Sequence, residues 1–121
     1  MNRWKRSAGA ILVAGLTMSW AAVATVAPSR ADSVAYLFNV TVRPGYNFAN
    51  ADQAIAYGHG ICDKISRGDS YASITRDVKV DFNTSDEYQA TYLISQAAQE
   101  LCPNLIWQLR KSAANYTPSP P

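Results

Sequence analysis

Two cysteines 40 positions apart, Cys62 and Cys102, constrain this chain more than any other feature. The spacing is not a Cys-x-x-Cys redox motif, and two thiols with the one histidine, His59, fall short of a four-ligand zinc site. Three readings remain: a structural disulfide, a pair of buried free thiols, or a thiol nucleophile. The nucleophile needs a cationic neighbour to lower its pKa. On a helix His59 lies about 300° round from Cys62, which permits contact without specifying it. The structural disulfide is the favoured reading. In the chain-entropy model, closing a loop this long stabilises a fold by about 4 kcal/mol. That matters in a domain small enough to bury only about 60–65% of its unfolded surface.

The first residues set the compartment expected for that bond. Arg3, Lys5 and Arg6 precede an uncharged run from Ala8 to Ala27, which ends at Pro28-Ser29-Arg30-Ala31. A basic start, an apolar middle and small residues at the end are the features of a secretory signal peptide, residues 1–31, with cleavage expected before Asp32. The competing reading is a retained anchor, since about 20 apolar residues span a bilayer. No Cys follows the run for a lipid anchor, and Trp4 interrupts a twin-arginine pattern. Without residues 1–31 the chain keeps seven basic residues against nine acidic ones, a net charge of −2. The apparent basicity belongs to the leader, so nucleic-acid binding is not expected. Residues 32–113 read as one domain in an oxidising compartment, and 114–121 as a mobile Pro-rich tail.

Along the domain the pattern is helical. Asp32-Ser33 opens a first helix through Val40 with Leu37 and Val40 inward. Val34, Tyr36, Phe38, Val40 and Val42 alternate as in a strand, but nothing downstream offers that strand a partner. Arg43-Pro44-Gly45-Tyr46 reads as a type II turn. Asn50, with Gln53 three residues on, caps a second helix whose stripe is Ile55, Gly58, Cys62 and Ile65, widened by Ala54 and Ile61. Gly68 ends it. Gly58 and Gly60 cost about 1 kcal/mol each in a helix, which close approach of another helix would offset. A short third helix carries Tyr71, Ile74 and Val78 inward, capped by Asp69 or Ser70. Thr84-x-x-Glu87 is a capping box for the longest helix. Its buried arc has Tyr88, Thr91, Ser95, Ala98 and Cys102 along one edge, and Ala90, Ile94, Ala97 and Leu101 along the other. Its small residues are expected to receive the glycine face of the second helix. Pro103 breaks the helix, and a last one runs from about Asn104 to Ser112. The fold expected is all-α, a bundle of four to five helices stapled by one disulfide after a signal peptide.

Gly58-x-x-Ile61-Cys62, Gly68, Phe82 with Thr84-x-x-Glu87, and Cys102-Pro103 together resemble a family of small secreted mycobacterial proteins, a domain of unknown function (DUF732). The resemblance runs from about Asp32 to Pro103. It implies a compact helical domain, a disulfide between Cys62 and Cys102, and an envelope or extracellular location. It carries over no catalytic residue. The strand-like Val40-Thr41-Val42 departs from the family pattern.

The search for chemistry turns up little. His59 is the one conventional base, with no Gly-x-Ser-x-Gly elbow and no His-x-x-x-His pair. The acid pairs Asp77/Asp81 and Asp63/Asp69 lie among Lys64, Arg67, Arg76 and Lys79 and read as a solvated charged face. Haem capture through Tyr or His is disfavoured, because Tyr57 and His59 lie about 200° apart on a helix turning 100° per residue. The sequons at Asn39, Asn83 and Asn115 read as incidental in a bacterial export product. Large side chains without an evident core position are more telling: Tyr46 and Phe48 before the second helix, and Ile106 and Trp107 beside Arg110. Aromatic and Arg residues dominate interface hot spots. The expectation is a non-enzymatic binding or interaction module with no cofactor and no metal, acting as a monomer on an envelope protein or lipid. The alternative is a carrier of a small apolar ligand (haem or lipid).

Overall fold

Three of the helices begin where a side chain caps the first turn. In the computed structural model, which describes residues 30–118, the elements are α1 (Arg30–Thr41), α2 (Ala51–Ser66), α3 (Tyr71–Asp81), α4 (Glu87–Glu100) and α5 (Ile106–Ala113). A single 3-10 turn, Pro103–Leu105, precedes α5. No strand occurs among the described residues. The expected export segment lies outside them, save Arg30 and Ala31 in the first turn of α1.

Asn50 accepts from the Gln53 N–H at 2.8 Å and starts α2; Ser70 accepts from Ser73 and starts α3. Helix α2 stops in a Schellman motif: Asp69 N–H donates to the Lys64 carbonyl and Gly68 N–H to that of Ile65. The left-handed residue there is Gly68, φ +91°. The end of α3 repeats the arrangement with Asn83, φ +50°, and Thr84 N–H donating to the Lys79 carbonyl. That repeat overturns the expected capping box. Thr84 N–H closes α3 and its Oγ1 accepts from Asp86 N–H rather than from Glu87 N–H, so α4 starts later, with Asp86 accepting from Tyr88 N–H at 2.9 Å. Helix α4 is therefore 14 residues long and α2, at 16, is the longest.

Helix α4 forms the axis of the bundle and packs against all four other helices. Its buried face is Ala90, Leu93, Ile94, Ala97 and Ala98. Of the edge expected to be buried, Ala98 and Cys102 are covered and Thr91 and Ser95 are half-buried, but Tyr88 turns outward, and Leu93, not expected in the core, is fully buried. Tyr36 and Val40 from α1, Ala54, Ile61 and Ile65 from α2, Ile74 and Val78 from α3, and Leu109 from α5 complete the core. On α1 the i, i+4 pair that faces inward is Tyr36/Val40; Leu37 sits at the margin, half-buried.

The disulfide joins Cys62 on α2 to Cys102, with Cα atoms 6.1 Å apart. Cys102 does not lie on α4. Its φ of −143° and ψ of 60° take it out of the helix, as expected before a proline, which has no N–H to continue the ladder. The staple thus fixes the chain where α4 turns into α5. Close approach at Gly58 comes from Tyr36 and Leu101, rather than from the small residues of α4. Gly60 meets nothing and is simply tolerated. The tail expected to be mobile from residue 114 is held at Tyr116, whose hydroxyl donates to Glu87 Oε2 at 2.6 Å and whose ring packs edge-on against Tyr71.

Candidate binding surface

The side chains expected to form two exposed patches, Tyr46 with Phe48 and Ile106 with Trp107 and Arg110, divide between core and solvent. Tyr46 is 4% exposed and belongs to the core. Its hydroxyl donates to the Gln89 carbonyl at 2.6 Å, and burial pushes its pKa up to about 12. Phe48 is half-buried in a cluster of rings with Tyr46, Tyr57 and Phe82, at centroid distances of 5.1–6.2 Å. Phe82 fills the space beneath the connection between α1 and α2, which is why those two rings fold inward. Ile106 packs half-buried against the core. Trp107, 64% exposed, and Arg110 remain in solvent on α5.

The larger apolar surface is on α1. Val34, Phe38 and Val42 are 62%, 65% and 61% exposed. Residues four apart on a helix turn by about 40°, and Val42, one residue past α1, still donates its N–H to the Phe38 carbonyl, so these three form one row about 12 Å long. Sequence reasoning missed it, although the signal was present. The same alternation that suggested a strand places apolar residues all round a helix, whereas a helix covered on one side needs only one apolar stripe.

Beside this row lies a groove of about 410 Å³ between the end of α1, the 42–50 connection and the start of α2. Leu37, Val40, Pro44, Phe48 and Ala54 contribute apolar walls, and Arg43, Asn47 and Asn50 contribute polar groups. The turn that carries Arg43 is pinned by Gly45, φ +109°, where an added Cβ would meet the Gln89 side chain 2.6 Å away. The Arg43 guanidinium lies over two rings of α4, 4.8 Å from the Tyr88 centroid and 4.2 Å from that of Tyr92. No carboxylate lies within ion-pair distance of it among the described residues.

Three ion pairs form elsewhere among the described residues: Lys64 with Asp77 at 2.7 Å, Arg67 with Asp69 at 3.0 Å, and Lys79 with Glu87. Asp81 accepts from the Tyr57 hydroxyl at 2.7 Å. His59 is half-buried on α2, away from the groove lining. Among the described residues no group of three or more His, Cys, Asp or Glu side chains could hold a metal ion, and no helix is long and apolar enough to cross a membrane.

A model of proteins of unknown function, DUF732, matches residues 31–104. The chain belongs to the DUF732 family. The DUF732 match spans α1 to the 3-10 turn, and so contains the disulfide, the α1 row and the groove, while α5 with Trp107 lies beyond it. No curated protein and no solved structure matches the chain at a significant level.

Proposed function

We propose that this domain is an exported, non-enzymatic binding module of the cell envelope that docks a protein partner on the outward face of α1. The observation that carries the reading is the exposed row Val34, Phe38 and Val42. Full burial of an apolar side chain of this size is worth about 1.5–3 kcal/mol, so covering three in one row supplies the core of an interface. Export is supported by the basic start, the apolar run and the small residues before Asp32, and by a disulfide, a bond that persists in oxidising compartments. Photo-crosslinking from position 38 in the native envelope tests the docking face. A discrete protein adduct, lost in Val34→Asp, supports it. An adduct pattern unchanged by Val34→Asp overturns it.

A second reading, a carrier of a small apolar ligand, rests on the groove, whose volume falls near the lower end of small-molecule sites, about 300–1,000 Å³. Haem fits it poorly. Tyr46 is the only tyrosine in the lining, its hydroxyl is spent on Gln89, and burial disfavours the phenolate that would ligate iron.

A further inference from the structure

We infer that the groove between α1 and the start of α2 binds a single-chain fatty acid, with the alkyl chain against Leu37, Val40, Pro44 and Phe48 and the carboxylate on Arg43. This deepens the carrier reading by naming the ligand. Two features of the groove select that chemistry. Its walls are apolar and its size suits one slender chain. Its one formally charged lining residue is Arg43, a cation with no carboxylate partner among the described residues.

The setting of Arg43 favours a carboxylate. Stacking on Tyr88 and Tyr92 uses the faces of the guanidinium. Its N–H groups lie in the plane of the fork. Those N–H edges can meet a planar two-oxygen acceptor. The rings hold the cation in place before any ligand arrives, which reduces the ordering cost of binding. A neutral apolar ligand would leave the guanidinium with no counter-charge. A second copy of this chain or a partner helix would instead need an acidic side chain at the same point.

The test titrates the disulfide-bonded protein with laurate and, separately, with dodecanol, below the concentrations at which either aggregates, following binding by calorimetry. The expected result is saturable one-to-one binding of laurate, about tenfold or more tighter than dodecanol, from a charge-assisted hydrogen bond. Arg43→Gln is expected to remove that preference. Ala51→Trp, at an exposed position in the groove wall, is expected to abolish binding of both. Circular dichroism melts establish that each variant is folded. Equal affinity for laurate and dodecanol in the natural protein overturns the carboxylate while leaving an apolar carrier standing. Absence of binding by either, or unchanged laurate affinity in folded Ala51→Trp, overturns both.

Discussion

The Tyr36 ring occupies the space that Gly58 leaves by having no side chain. A Cβ built on Gly58 would stand 2.8 Å from Tyr36 Cζ and 2.5 Å from Leu101 Cδ1. The Tyr36 hydroxyl donates to the Ala54 carbonyl, 2.9 Å away, one turn earlier on α2. A glycine that weakens α2 locally is thus the contact point between α1 and α2.

Two glycine substitutions in one helix should therefore have opposite signs. Gly58→Ala gains about 1 kcal/mol of helix propensity, but it overpacks a site closed by a ring with no exposed surface, at about 1–3 kcal/mol. A net loss of stability is expected. Gly60→Ala meets open space and should raise stability by up to about 1 kcal/mol. Thermal melts of the two variants, expected to differ by several degrees in Tm in opposite directions, check this.

Removing the staple should cost much of the domain's stability. The loop between Cys62 and Cys102 spans 40 residues, for which the chain-entropy estimate is about 4 kcal/mol, against the 5–15 kcal/mol that holds most domains folded. Cys62→Ala/Cys102→Ala is expected to lower the urea midpoint strongly. Urea titration with and without reductant gives the comparison.

Acid should act through Glu87. Burial raises its pKa, but hydrogen bonds from Lys79 and from the Tyr116 hydroxyl, with the charge of Lys79, outweigh that and hold it below the ordinary value of 4.5. A carboxylate depressed in the folded state contributes stability that is complete above its unfolded pKa and lost as pH falls through the folded one. Stability should therefore fall below pH 4.5, and Glu87→Gln should flatten that limb. Melting temperatures measured from pH 6 down to about pH 2 test it.

Alkali should act through the buried phenols. Burial raises the pKa of Tyr36, and burial together with the Asp81 carboxylate raises that of Tyr57, both above the ordinary 10.0. For an acid held neutral in the fold, stability is complete below the unfolded pKa and is lost as pH rises toward the folded one. Unfolding is expected to set in above pH 10, with Tyr36→Phe shifting it to higher pH. Ultraviolet titration of phenolate absorbance alongside circular dichroism follows both events.

How much of this was legible before the structure differs from element to element. The Asn50 cap, the Gly68 stop and the break at Pro103 were readable, because each depends on the backbone chemistry of one or two residues. The start of α4 was misread, since Thr84 has two eligible roles and only the preceding Schellman turn assigns it to α3. Tyr46 and Phe48 were placed on the surface because the partner that draws them inward, Phe82, lies more than 30 positions away. The groove was invisible for the same reason, being bounded by segments that meet only after the 42–50 connection folds back.

The chain's order of residues determined by itself a helical domain and the positions of most caps, and it favoured a bond between its only two cysteines, because these follow from local backbone requirements and simple counting. Tertiary packing decided which apolar residues are covered. Val34 and Val40 are the same residue type on the same helix, yet one is 62% exposed and the other 1%. Burial is a property of the neighbours that a folded chain brings together, and those neighbours are fixed only once the whole bundle closes.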